Sequence, residues 1–196
     1  MPPILLASTS PYRRELLARL KLPFEVRAPG IEELALPGEA PAERARRLAL
    51  AKAVALADAL PGHVVIGADQ VAACEGQVLD KPGDATTARA QLAHQSGKAV
   101  EFHSAVAVVC RARGFVDEFA DLTVVRLRPL SAAEIAAYIE ADRPFDCAGS
   151  MRSESLGVAL CESIDSRDPT GLVGLPLIRL AASLRACGWA LPWAPQ

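Results

Sequence analysis

Ile4-Leu5-Leu6-Ala7-Ser8-Thr9-Ser10-Pro11-Tyr12-Arg13-Arg14-Glu15-Leu16-Leu17 is the stretch from which the fold is read. Ile4 to Ala7 is a short apolar run, as a buried strand requires. Ser10-Pro11 marks a helix start, with a hydroxyl at the N-cap and proline at the first helical position, where no N–H is needed. A strand running straight into a helix aims free backbone N–H groups and the positive end of the dipole at one place. Ser8 and Ser10 precede that place, and Arg13 and Arg14 follow in the first turn. Cations there oppose the helix dipole, so an anionic ligand is one reading. A capped surface helix with two solvated arginines is the other.

Working outward, 196 residues are enough for one domain with a real core, or for two small lobes sharing a sheet. An apolar share of 51% with only 5% aromatics implies packing by Ala, Leu and Val. The net charge of −2 argues against a general binder of nucleic acid or anionic membranes. No apolar run approaches the ~18 residues of a membrane span, and no basic stretch precedes an apolar one as in a secretory signal. A cytoplasmic protein is expected. Cysteines 74, 110, 147, 161 and 187 include no CxxC pair, so they read as free thiols, neither a disulfide framework nor a zinc site.

Along the chain, Phe24–Ala28 reads as a second strand and Pro29–Ala40 as a loop carrying Glu32 and Glu33. Pro41 to Leu60 has helix composition, with an apolar stripe through Ala45, Leu48, Ala49, Leu56 and Ala59. Lys52 falls on that stripe, where it either snorkels outward or reaches into a site. His63–Ala68 reads as a core strand delivering Asp69 and Gln70 at its carboxyl end. A hairpin is expected at Glu75-Gly76, and a loop at Leu79–Gly83 that includes Lys81. A helix is expected over Asp84–Ser96, closed by Gly97. Lys98–Cys110 and Gly114–Leu127 form long strands joined by a polar turn. Ser131 to Glu134 is a capping box opening a helix to about Ala141. Gly157–Ile164 reads as a last strand. Leu172–Cys187 reads as a closing helix, stopped by Gly188 with Pro192 beyond. This interleaving predicts an α/β fold on a mixed sheet.

Ligands of α/β sheets collect at the carboxyl ends of strands, which draws attention to Asp69. Taken alone it reads equally as a turn cap, and Lys81-Pro82 as surface charge. As a set, Arg13, Lys52 and Lys81 with Glu33, Asp69 and the helix start at Ser10 have the composition expected of a polyphosphate site with a divalent metal. Cations and backbone N–H groups would hold phosphate oxygens, while carboxylates hold metal or orient water. Neither GxxxxGK[ST] nor GxGxxG is present. His63, His94 and His103 stand apart and read as structural.

The Leu6–Leu17 stretch, Lys52-Ala53, Gly67-Ala68-Asp69-Gln70, Lys81-Pro82 and Gly171–Leu177 together resemble the Maf family of nucleoside triphosphate pyrophosphatases, in order and spacing and over nearly the whole chain. The resemblance implies an elongated mixed sheet with flanking helices, in two lobes around a central cleft, like the inosine triphosphatases. It implies attack of water on the α-phosphorus of a nucleotide, releasing monophosphate and pyrophosphate, with Mg²⁺ or Mn²⁺. Asp69 then matches the acidic residue that accepts the water's proton, and Glu33 (with Asp69) the metal-holding carboxylates. Arg13, Lys52 and Lys81 match the phosphate-binding cations, above a loop containing Ser8 and Ser10. The partner implied is a small-molecule nucleotide, with a homodimer left open.

Within the family, Cys147-Ala148-Gly149-Ser150 followed by Ser153-Glu154 resembles the subgroup acting on 7-methyl-GTP, not the dTTP/UTP subgroup. That likeness gives Tyr12, Gln70 and Glu154 the base-recognition positions. N7-methylation puts positive charge on the purine, which favours stacking on Tyr12. Glu154 can accept from the guanine N1–H and amine, and Gln70 can supply amide contacts. Tyr12 stands where the subgroup often has Trp, and Met151-Arg152 where Phe-Lys is usual. The alternatives are a dTTP/UTP enzyme and a nucleotide-binding regulator without turnover.

Overall fold

The opening run forms strand β1 (Ile4–Ala7), buried at every residue. A three-residue link joins it to helix α1 (Pro11–Ala18), capped as the sequence requires: Ser10 Oγ accepts from the Arg13 N–H at 3.4 Å, with proline at the first position. Strand β2 (Phe24–Arg27) and helix α2 (Pro41–Ala59) follow, separated by the acid-bearing loop. The structure, a computed structural model, describes residues 1–190. Pro192, expected beyond the last helix, lies outside the described residues.

Next come β3 (Val64–Cys74), β4 (Gln77–Leu79), α3 (Ala85–Gln95), β5 (Ala99–Cys110) and β6 (Phe115–Leu127). Helix α4 (Ala132–Asp142), β7 (Cys161–Asp165) and α5 (Leu177–Ala186) complete the chain. The sheet is mixed and seven-stranded, in the order β2-β1-β3-β5-β6-β7 with β4 paired to β3. β1 runs parallel to both β2 and β3, while β3–β4 and β6–β7 are antiparallel. The α/β class and the mixed sheet are as expected. Among the described residues no helix is long and apolar enough to cross a membrane.

Four expectations are corrected. Asp69 does not end its strand, because β3 continues through Val71-Ala72-Ala73-Cys74 into the β4 hairpin. The stretch read as a strand from Gly157 is a 3-10 helix over Leu156–Leu160, and only Cys161–Asp165 is strand. The closing helix begins at Leu177, not Leu172: Gly174 at φ +102° breaks the chain, and Pro176 lacks the N–H that an interior position needs. On α2, Ala53 and Ala57 are buried but Ala59 is exposed, so the stripe turns slightly from the one expected.

The chain divides into two compact units. Among the described residues the first comprises 1–69, 104–121 and 168–190, and so holds β1, β2, α1, α2, α5 and parts of β3, β5 and β6. Strand alternation sorts its core onto two faces. Ile4, Leu6, Val64, Ile66, Val106 and Val108 pack with Leu16, Leu17, Leu180 and Leu184 of α1 and α5. On the opposite face, Leu5, Ala7, Val65, Ala107 and Val109 pack against Ala53, Leu56 and Ala57 of α2. The second unit comprises residues 70–103 and 122–167, with α3, α4, β4 and β7. Its helices are well capped: Asp84 accepts from the Thr87 N–H, and Ser131 and Glu134 form the reciprocal box.

Candidate active site

Gly67 is the local determinant of the charged centre in the first unit. It lies on the β3 face that carries Val65, and a Cβ there would collide with the Ala49 carbonyl and the Ala53 backbone of α2. Its absence lets the helix lie directly on the strand. Lys52 on α2 and Asp69 on β3, two residues past Gly67, then meet. Lys52 Nζ lies 2.7 Å from Asp69 Oδ1, with the two residues only 4% and 6% exposed. The lysine on an apolar stripe therefore reaches inward. Its ammonium also lies 2.9 Å from Glu33 Oε2, which approaches from the exposed loop.

β1 stops short of Asp69. Its last residue, Ala7, pairs with Gly67, so the parallel neighbour has ended before Asp69 is reached. Asp69 thus lies beyond the carboxyl end of β1, although it is interior to its own strand. The backbone leaving β1 turns at Ser8, whose N–H is bonded to the Arg27 carbonyl and whose Oγ accepts from the Ser10 N–H at 3.1 Å. Burial raises the Asp69 pKa, opposed by the nearby positive charges of Lys52 and Arg13 and reinforced by Glu33. Burial also lowers the Arg13 pKa, while Asp69 and Glu33 pull it up. Arg13 Nε donates to the Gly174 carbonyl at 3.1 Å, and the lack of a side chain on that glycine leaves the arginine its place, since a Cβ would lie 3.3 Å from Nε. The Gly171–Leu177 motif thus aims a cation.

Two positioning elements had no local signature. Arg47, five residues before Lys52, holds both carboxylate oxygens of Glu39, at 2.5 and 2.7 Å, and also the Leu34 carbonyl. That clamp fixes the loop carrying Glu33. Asp168 is buried and accepts from the N–H groups of Thr170 and Ile178, while Thr170 Oγ1 accepts from the Leu177 N–H. Together they satisfy the start of α5, whose Pro176 N-cap makes no side-chain bond.

The second unit holds Gln70, Lys81 and Glu154. Lys81 is exposed on the loop after β4, in which the Gly83 N–H bonds the Phe145 carbonyl. Glu154 is exposed in a short turn and accepts from Ser153 Oγ at 2.8 Å. The stretch around it is pinned from both helices. Gln95 and Gln91 of α3 bond the Gly149 carbonyl and the Ser150 hydroxyl. On α4, Tyr138 accepts from the Arg152 N–H at 3.0 Å, and Asp142 accepts from Ser155 Oγ at 2.6 Å. Of the expected set, Glu33 and Asp69 meet at the Lys52 ammonium, and Arg13 is near enough to both carboxylates to act on them electrostatically. Tyr12 is half-buried on α1, next to Arg13.

Mg²⁺ and Mn²⁺ prefer hard oxygen donors. Glu33 and Asp69 supply carboxylate oxygens, the donor type such an ion takes, with one oxygen of each held by the Lys52 ammonium and the other left to offer.

In α/β sheets ligands collect beyond the carboxyl ends of strands, and the buried Lys52–Asp69 pair lies beyond the carboxyl end of β1. The family model described as "Maf-like protein" matches residues 3–187, and the chain belongs to that family. A relative from Albidiferax ferrireducens, named 7-methyl-GTP pyrophosphatase, is 55% identical over 94% of this chain and 93% of its own. Relatives of the same name from Bordetella pertussis (53%, over 95% and 93%) and Xanthomonas oryzae pv. oryzae strain MAFF 311018 (51%, over 98% and 100%) are similar along their lengths. Among solved structures, the Staphylococcus aureus Ham1 protein aligns with a TM-score of 0.45 at 14% identity, over 64% of this chain and 71% of that one. That likeness is too remote to bear on function.

Proposed function

We propose that the chain is a divalent-metal-dependent pyrophosphatase that hydrolyses free 7-methyl-GTP in the cytoplasm to 7-methyl-GMP and pyrophosphate. The observation carrying this reading is the buried Lys52–Asp69 pair with Glu33 on the same ammonium, in a chain at least half identical to proteins of that name. Water attacks the α-phosphorus, its oxygen joins the monophosphate, and the bond to the α,β-bridging oxygen breaks. Asp69 takes the water's proton. Its Oδ1 is held by Lys52, which orients the carboxylate and keeps it ionised while burial makes it a stronger base than a solvated aspartate.

Arg13, Lys52 and Lys81 offset the charge of the triphosphate, and the hydroxyls of Ser8 and Ser10, whose oxygens accept from the backbone, donate to its oxygens. A metal ion held by Glu33 and Asp69 would neutralise phosphate charge. Tyr12 stacks on the cationic base, and Gln70 and Glu154 bond its edge.

The test is pyrophosphate release from 7-methyl-GTP, GTP, UTP and dTTP, with Mg²⁺ or Mn²⁺, in ¹⁸O-labelled water. The expected result is preference for 7-methyl-GTP with label in the 7-methyl-GMP. Preference for a pyrimidine removes the base assignment, and release of orthophosphate removes the reaction.

A further inference from the structure

The β3–β4 hairpin carries a second chemical feature, wholly within the second unit. Cys74 and Gln77 pair across a two-residue turn, Glu75-Gly76, in which both residues have left-handed φ, +51° and +80°. The Cys74 thiol, the Glu75 carboxylate and a ring nitrogen of His94, in the last turn of α3, lie within 4.8 Å of one another. Cys74 is fully buried, and His94 Nε2 is buried without a hydrogen-bond partner. A buried ring nitrogen left unpaired is costly in a folded chain unless something else binds it.

We propose that Cys74, Glu75 and His94 form a binding site for a thiophilic transition ion of the Zn²⁺ type. Thiolate and imidazole select such ions over Mg²⁺ or Ca²⁺, which need oxygen donors. Three protein ligands leave the fourth tetrahedral position to water or another ligand. Ligand atoms around tetrahedral Zn²⁺ stand about 3.3–3.8 Å apart, given bonds of about 2.0–2.3 Å. Metal binding would draw the three groups, which lie within 4.8 Å, closer together, with the exposed Glu75 side chain moving inward. The carboxylate already holds Lys98 through Oε2 at 2.7 Å, and it has a second oxygen for a metal. The carbonyl end of α3 adds favourable potential for a cation beside His94. On binding, the Cys74 proton passes to solvent and the thiolate takes the metal. Spacing alone did not reveal the site, because the hairpin and the helix end meet only in the fold.

The metal-free full chain is titrated with Co²⁺ and then Zn²⁺. The expected result is a near-ultraviolet thiolate charge-transfer band that saturates at one equivalent of Co²⁺ at this site and that Zn²⁺ displaces. The band should vanish in Cys74→Ser. Since a core substitution can unfold the chain, Glu75→Gln and His94→Gln provide the parallel test. Each should keep the native circular dichroism and the Mg²⁺-supported turnover, while weakening Co²⁺ binding by about tenfold or more. The carboxylates at Glu33 and Asp69 cannot give that band, so the readout is independent of the proposed reaction. Absence of the band, its survival in Cys74→Ser, or unchanged affinity in His94→Gln overturns the proposal.

Discussion

Replacing Lys52 by methionine removes one charge and keeps most of the volume. Asp69, 6% exposed, would then be a buried carboxylate without its nearest cation. Breaking a buried ion pair from one side costs about 3–5 kcal/mol. Arg13 remains as a partial counter-charge, so the lower end, about 3 kcal/mol, is expected near neutral pH. The cost should depend on pH in a definite direction. Burial already raises the folded-state pKa of Asp69, and loss of Lys52 raises it further. Between the unfolded value, about 3.9, and that raised value, the native state binds more protons than the unfolded one, so stability falls as pH rises. Below the unfolded value Asp69 is neutral in both states and the penalty disappears. Urea unfolding, followed through the buried Trp189, measures this between about pH 4 and pH 8. Adding Asp69→Asn to Lys52→Met should recover most of the loss, since no charge is then buried. A cost that is the same at both ends of the range, or no recovery in the double variant, would refute the reasoning.

Gly67→Ala should cost about 1–3 kcal/mol or prevent folding, because its Cβ meets helix backbone that cannot move aside. Any folded protein should turn over slowly, since α2 carries Lys52; thermal unfolding and kcat read both. Asp168→Ala should destabilise by about 2 kcal/mol, the loss of a buried cap with several bonds, without changing the order of substrates. Glu154→Ala should lower the preference for 7-methyl-GTP over UTP by about tenfold with little change in UTP turnover. Equal losses on both nucleotides count against Glu154 as a reader of the base.

Much of the fold was legible because its signals are local. The junction of Ile4–Ala7 with Ser10-Pro11, the Ser131–Glu134 box and the Glu75-Gly76 turn each state their conformation within a few residues, and each forms as expected. Lys52 was legible as an anomaly, a charge on an apolar stripe. What stayed hidden depends on partners distant in sequence. The strand end at Asp69 could not be placed, because the apolar run after it reads equally as a new element. The helix start at Leu177 is set by Asp168, nine residues back, and by the left-handed Gly174. Arg47, Glu39 and the carbonyl aimed at Arg13 are ordinary residues until the chain brings them together.

The proposed reaction requires Asp69 to accept the proton of the attacking water while Lys52 holds it. Turnover of 7-methyl-GTP by Asp69→Asn, with saturating Mg²⁺ and native circular dichroism verified, tests this most directly. The variant keeps the shape and removes the base, so kcat should fall by about 10²–10⁴-fold. A variant that hydrolyses 7-methyl-GTP within a few-fold of the wild type would contradict it.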